Sequence, residues 1–170
     1  MANEDQLKVI KQGVDFWNQW REQNPEVRPE LSQADLRGAK LQKANLDKAS
    51  LKEAKLQFAN LNGANLEGAN LKKAKLQEAN LQSACLRNAN LKGVSLLGSN
   101  LQYADLENAD LQGVQFNEDV LFNQTNLKGA NLTKATGLNP GQIKSALVDD
   151  RTQLPDYLDE EQDDDFLLQF

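Results

Sequence analysis

Histidine is absent from this chain of 170 residues, and cysteine occurs once, as Cys85. The lack of histidine removes the commonest general base and metal ligand, and a lone cysteine cannot form an internal disulfide. Apolar runs are short, so the sequence predicts no transmembrane helix and no membrane insertion. The first residues lack the basic and apolar regions of a signal peptide, which predicts a cytoplasmic protein.

Catalytic motifs are also missing. The sequence has no glycine-rich phosphate loop and no ligand spacing typical of a metal site. Cys85 is expected to face outward between Asn65 and Asp105, with Arg87 and Lys75 as its basic neighbours and no base to activate it. We therefore predict that the chain is not an enzyme and binds neither a cofactor nor a metal.

A five-residue period dominates what is present. Leucine occupies every fifth position from Leu31 to Leu111, and from Ala34 to Ala89 the residue two places before each of these leucines is alanine. This period matches neither the 3.6-residue repeat of a helix nor the two-residue alternation of a strand. A chain that turns a corner every five residues would point all the leucines inward, which indicates a stacked solenoid.

The individual units match a known family. The segments ADLRG (34–38), ANLDK (44–48) and ANLEG (64–68) resemble the A(D/N)LXX unit of pentapeptide repeat proteins, which are abundant in cyanobacteria. The resemblance implies an all-β solenoid, a right-handed quadrilateral β-helix with four pentapeptides per coil and about five coils here. It also implies that the leucine and the small residue two before it point inward, while the other three positions point outward.

The flanking regions predict helices that close the rod. We expect an N-terminal helical cap (1–30) with a helix over 3–22 that begins at an Asn3–Gln6 capping box. The β-helix (31–137) is followed by a C-terminal helical cap (138–158) with a helix over 138–148, and ordered structure is expected to end near Leu154. Because capped ends do not stack on each other, we predict a monomer.

The final segment has a different composition. Residues 159–165 hold six acids and no basic residue, and the sequence FLLQF (166–170) follows. This predicts an acidic disordered tail over 159–170. The tail is either a docking peptide or a loose end packed on its own domain.

The leucine period slips once. Leu127 and Leu132 come one residue late relative to Leu111. We predict an extra residue near 117–119, with Val120 and Phe122 facing inward and Asp119 facing outward.

Outward positions twenty residues apart should stack in columns. Six lysines are then expected on one wall as a basic ridge that could bind an anion or a partner: Lys52, Lys55, Lys72, Lys73, Lys75 and Lys92. The alternative is an ordinary solvated surface. A specific hypothesis is that the acidic tail folds onto this ridge and competes with an acidic partner. Elsewhere, a column of Asn60, Asn80 and Asn100 could form hydrogen bonds along the stack.

Three functions remain open from the sequence. The first is a scaffold that binds another protein through its walls or its tail. The second, implied by the resemblance, is DNA mimicry directed at type II topoisomerases such as gyrase. Members that act in this way have strongly acidic rods, whereas residues 31–137 here hold thirteen Lys or Arg against ten Asp or Glu. The third is direct nucleic-acid binding by the lysine ridge, which a pI of about 4.8 disfavours.

Overall fold

The computed structural model describes residues 1–159, which form a rod with helices at both ends. The helices are α1 (Glu4–Gln12), α2 (Val14–Gln23), α3 (Pro140–Ser145) and α4 (Asp156–Asp159). Between α2 and α3, parallel β-bridges join residues twenty apart, from the Glu30–Ser50 bridge to the Ser95–Gln115 bridge. Twenty residues therefore make one coil of four pentapeptides. Within 1–159 these ladders consist of isolated bridges, so the predicted β-solenoid has no continuous strands.

The interior follows the predicted pattern. Leu51, Leu71 and Leu91 stack on one another without exposed surface, and Ala54 and Ala74 are equally buried. Coils stack at the β spacing of about 4.8 Å, so each leucine contacts its equivalents in the coils above and below. Burial of each leucine contributes roughly 1.5–3 kcal/mol before the entropy cost.

Except at residues 117–120, the corners of the rod between 31 and 135 are β-turns with one residue in the left-handed region. In the first, the Ala34 N–H donates to the Leu31 carbonyl over 3.1 Å, and Gln33 has a φ of 62°. Glycine is preferred at such a position, yet thirteen residues with positive φ are not glycine. The repeat therefore tolerates side chains at these corners despite the backbone strain.

The asparagine column is used differently from the prediction. The Asn60, Asn80 and Asn100 side-chain oxygens each accept from the backbone N–H two residues later, over 3.1, 3.0 and 2.9 Å. Among the described side chains, no hydrogen bond joins one member of this column to the next. The prediction of bonds along the stack is wrong because each asparagine fixes its own corner turn.

The register shift is confirmed. The bridges change from a spacing of twenty to twenty-one at Asn100 and Leu121. Phe122 is 1% exposed, Val120 is also buried, and Leu121 is 43% exposed. The Asn117 side chain accepts from the Gly98 N–H over 2.9 Å, so a side-chain oxygen replaces the backbone acceptor displaced by the extra residue.

The predicted helix over 3–22 is wrong in its continuity. Gly13 has a φ of 128° and a ψ of 166°, and it separates α1 from α2. The predicted Asn3–Gln6 capping box is half formed, since the Asn3 side chain accepts from the Gln6 N–H. The Gln6 side chain instead accepts from the Glu30 N–H, and the Asn3 N–H donates to the Glu30 carbonyl. The start of α1 thus pairs with the first coil.

The second helix bonds to that coil through side chains. The Asn18 amide donates to the Lys43 carbonyl over 3.0 Å and accepts from the Asn45 N–H over 2.8 Å. The buried Trp17 indole N–H donates to the Asn45 carbonyl over 2.8 Å. Backbone groups that face a neighbouring coil elsewhere in the rod are satisfied here by α2.

The C-terminal helix is shorter than predicted. Asn139 and Gln142 form a complete capping box and Pro140 is the first helical residue, but α3 ends at Ser145. Leu147 lies outside the helix and forms a parallel bridge with Asn126. The chain after α3 thus pairs with the backbone of the last full coil.

Ordered structure continues past the predicted limit near Leu154. α4 follows, with Leu158 buried and the Tyr157 hydroxyl accepting from the Leu138 N–H over 3.1 Å. The predicted acidic tail over 159–170 lies outside the described residues apart from Asp159, the last residue of α4.

Candidate functional site: the lysine ridge

The six predicted lysines lie along one corner of the rod and on the wall that follows it. Lys52, Lys72 and Lys92 are each the second residue of a corner turn, and Lys73 is a third residue with a left-handed φ of 59°. Lys55 and Lys75 are joined by a parallel bridge on the next wall. The single wall expected from the sequence is therefore a corner together with one wall, and we call these six residues the lysine ridge.

Asparagine side chains fix the corner turns of the ridge. The Lys72 and Lys92 N–H groups donate to the Asn70 and Asn90 side chains, each over 3.1 Å. The Lys73 N–H donates to the Lys92 carbonyl over 2.9 Å, which places these residues in adjacent coils. The lysine backbones are therefore held rigidly about 4.8 Å apart, well within a Debye length of about 8–10 Å.

Two members of the ridge have acidic partners. The Lys92 ammonium lies 3.1 Å from an Asp110 carboxylate oxygen, and the Lys52 ammonium lies 3.8 Å from Glu53. A residue eighteen positions later lies diagonally in the next coil, as the Arg87–Asp105 pair also shows at 3.1 Å. This spacing of eighteen residues is visible in the sequence, and it predicts a partner for Lys92 alone among Lys52, Lys72 and Lys92.

The other four lysines form the free part of the ridge: Lys55, Lys72, Lys73 and Lys75. All four are exposed, and within 1–159 none lies within 4.0 Å of a carboxylate. Residues eighteen positions after Lys72 and Lys55 are Asn90 and Lys73, which offer no negative charge. We call these four residues the central lysines.

The positive charge of the ridge contributes to a lowered pKa at two carboxylates on its edge. The pKa of Asp35 is lowered to about 2, first by hydrogen bonds from Arg37 and also by the charge of Lys55 in the next coil. A hydrogen bond from Gln33 lowers the pKa of Glu53, and the charges of Lys52 and Lys73 lower it further. Both groups are ionised at neutral pH, and both lie on the N-terminal side of the central lysines.

The wall beside the ridge also carries apolar side chains. This wall, which we call the Lys55 wall, comprises residues 55–58, 75–78, 95–98 and 115–117. Phe58 lies at its far corner, 61% exposed with a φ of 62°, and Leu97 is half-buried two coils further along. The five-residue sequence pattern does not reveal the backbone strain at Phe58.

Cys85 lies where the sequence predicted, in a ladder between Asn65 and Asp105. Its basic neighbour Arg87 forms ion pairs with Asp105 and with Glu107, at 3.1 and 2.9 Å. Within 1–159, no group of three or more His, Cys, Asp or Glu side chains could hold a metal ion. In the same part of the chain, no helix is long and apolar enough to cross a membrane.

This geometry defines a quadrilateral coil built from pentapeptides, and comparison with known proteins identifies the family. The model of pentapeptide repeats matches residues 30–68, 54–93 and 81–117, with eight copies. The chain belongs to the pentapeptide repeat family. The right-handed quadrilateral β-helix of this family agrees with the twenty-residue ladders.

The chain is also similar to solved structures, and the first of those named here supports the same fold. A pentapeptide repeat protein from the Arabidopsis thaliana thylakoid lumen is 29% identical, with a TM-score of 0.61, over 63% of this chain and 73% of that chain. HetL, involved in heterocyst differentiation regulation in the cyanobacterium Nostoc sp. strain PCC 7120, is 30% identical over 75% of this chain and 61% of its own, with a TM-score of 0.31. QnrB1, a plasmid-mediated fluoroquinolone resistance protein, is 20% identical over 78% of this chain and 82% of its own, with a TM-score of 0.44. No curated protein matches the sequence significantly.

Proposed function

We propose that this protein is a non-enzymatic scaffold that binds an acidic segment of another protein through the lysine ridge. The observation that supports this function is the group of four exposed central lysines, none of which lies within 4.0 Å of a carboxylate among the described residues. They are spaced by the coil repeat on a rigid backbone, so a bound acidic segment would not need to order the lysine backbones. Such preorganisation lowers the entropy cost of binding.

The helices at the two ends suit a scaffold that works as a single rod. α1 and α2 bond to the first coil, and the segment from α3 to α4 covers the last. We infer that these segments cap the solenoid and prevent end-to-end stacking, which favours a monomer. The cytoplasmic location stays a prediction.

A DNA-mimic action on gyrase receives less support. Such mimicry needs a rod with strong negative charge, whereas the repeat region here holds more Lys and Arg than Asp and Glu. Acidic groups concentrate instead near the C-terminal end of the sequence. Nucleic-acid binding by the ridge is an outcome of the test and not the preferred proposal, because the net charge of −6 repels a long, highly charged duplex more strongly than a short acidic segment.

The proposal is tested by measuring the affinity of a fluorescent poly-glutamate peptide for the full chain at low salt. The variant K55Q/K72Q/K73Q/K75Q removes the central lysines, and K40Q/K43Q/K128Q/K134Q removes the same charge elsewhere. Exposed charge pairs contribute about 0.2–1 kcal/mol each, so the first variant should bind about tenfold more weakly or worse. The control variant should retain most of the affinity.

Two results would contradict the proposed function. Equal weakening by the two variants would mean that total charge, and not the ridge, determines binding. Stronger binding of a DNA duplex than of the peptide by the wild-type chain would favour a nucleic-acid partner instead.

A further inference from the structure

The ladder of the Lys55 wall continues to the C-terminal end of the rod, near α4, the last described element. The ladder of Lys55 and Lys75 continues through Ser95 and Gln115 to Thr136. Two residues after Thr136, the Leu138 N–H donates to the Tyr157 hydroxyl in α4. α4 therefore contacts the chain two residues beyond the last rung of the ladder that contains two of the central lysines.

The same wall presents an aromatic side chain in an unfavourable state. Phe58 is 61% exposed and holds a left-handed backbone conformation that costs roughly 1–2 kcal/mol for an L-residue. Its corner equivalents Gly38 and Gly98 avoid this cost, whereas Glu78 in the adjacent coil shares it with a φ of 55°. What distinguishes Phe58 on this wall is its exposed aromatic ring, which a ligand could cover.

The segment beyond α4 contains both the acidic and the apolar residues that a ligand of this wall would need. Residues 160–165 include five acids, and residues 166–170 read FLLQF. Acids could contact the central lysines, while the apolar end could cover Phe58. The wall and the segment are therefore complementary in charge and in hydrophobicity.

The distances and the order along the chain also agree. Lys75 lies three coils from Thr136, about 14 Å at the β spacing, and Phe58 lies in the coil after that, at about 19 Å. The eleven residues after Asp159 can span about 36 Å when extended. Along this path the acids come first and the apolar residues later, and on the wall Lys75 comes before Phe58.

We propose that residues 160–170 dock on the Lys55 wall and compete there with the acidic partner. The acids contact Lys55, Lys72, Lys73 and Lys75, and the FLLQF sequence covers Phe58. This inference rests on the proposed function, because it assigns a regulator to the same surface. A tethered segment acts at an effective concentration in the millimolar range, so a weak contact is enough to hold it, and an external partner can still displace it.

The docked position is tested by zero-length cross-linking of carboxylates to amines in the full chain, followed by peptide mapping. A mixture of isotopically light and heavy chains separates links within one chain from links between two. We expect links within one chain from residues 160–165 to Lys72, Lys73 or Lys75. Links confined to Lys128, Lys134 and Lys144, which lie nearer to α4, would overturn the proposal.

Competition is tested with the same poly-glutamate peptide and four forms of the full chain. The tail is either native or E160Q/E161Q/D163N/D164N/D165N, and the ridge is either native or K55Q/K72Q/K73Q/K75Q. Neutralising the tail should raise the affinity by about threefold or more when the ridge is native. It should have little effect when the central lysines are absent.

The outcomes separate the two proposals. Equal affinity with either tail on a native ridge overturns the docking of residues 160–170 and leaves the proposed function intact. An equal gain with and without the central lysines also overturns it, because the tail would then act through net charge alone. If the tail-neutral chain does not bind the peptide, the proposed function fails, and the cross-links alone decide whether the segment docks.

Discussion

At the scale of single residues, the corners of the coil set the strongest constraints. Most corner residues point away from the rod, and a Cβ atom added at Gly113 would meet nothing within 4 Å. Gly137 differs, because a Cβ atom there would fall on the carbonyl oxygen of Phe116. Both glycines have positive φ, at 66° and 79°. They therefore share the backbone strain of a substitution and differ only in the steric clash.

This pair gives a prediction for stability. G113A should lower the free energy of unfolding by about 1 kcal/mol, the cost of a left-handed alanine. G137A should lower it by about 2–4 kcal/mol, because overpacking against backbone adds roughly 1–3 kcal/mol. Urea denaturation followed by circular dichroism measures both. Equal losses would show that the chain near Gly137 relaxes without cost.

At the scale of elements, α2 is held to the rod by side chains that replace a neighbouring coil. Asn18 satisfies one donor and one acceptor of the first coil, at Asn45 and Lys43. N18A should lower the free energy of unfolding by about 1–3 kcal/mol, because both backbone groups lose their partner. The exposed Gln19, in the same helix, offers a control, and Q19A should change stability by less than about 0.5 kcal/mol. A loss no larger in N18A than in Q19A would mean that water replaces the amide without cost.

At the scale of the whole molecule, the rod is a one-dimensional stack in which each coil contacts only its neighbours. The stability of such a stack is a sum of coil and interface contributions. Central coils, such as that of Leu71–Leu86, are covered on both sides by regular coils. The last coils contain the register shift at Asn117 and a bridge spacing that widens to twenty-two between Asn131 and Gln153.

Native-state hydrogen exchange should therefore follow the rod. We expect the slowest exchange at the Leu71, Leu76 and Leu81 N–H groups, which open only by global unfolding. Protection should fall towards Leu127 and Leu132, where fewer regular neighbours support the coil. Uniform protection along the rod would indicate that all coils unfold in one cooperative step.

The sequence predicted the fold well because leucine marks every coil side from Leu31 to Leu111. The leucine spacing identifies the inward positions and locates the extra residue before Phe122. It does not show that Gly13 interrupts the N-terminal helix, since an isolated glycine is tolerated in many helices. The backbone strain at Phe58 was also invisible, because the five-residue pattern places no visible restriction on the corner residue.

The sequence predicted which lysines lie close together, but the twenty-residue spacing did not show which of them have acidic partners. The twenty-residue spacing correctly stacks Lys52, Lys72 and Lys92 in adjacent coils. Which of them remain uncompensated depends on diagonal contacts, and only Lys92 has an aspartate eighteen positions later. Two different spacings are therefore needed to describe the ridge, one for stacking and one for ion pairing.

The twenty-residue bridges have a consequence for how a rod of this kind tolerates changes in length. Duplication of one pentapeptide would keep every leucine inside, yet it would rotate all later residues by a quarter turn. Inserted between Lys55 and Lys72, such a unit would send Lys72 and Lys75 to different walls from Lys52 and Lys55. Duplication of four units would leave the walls aligned. The core therefore repeats every five residues, whereas the surface repeats every twenty. A change in length can thus remove a binding surface while the fold stays intact.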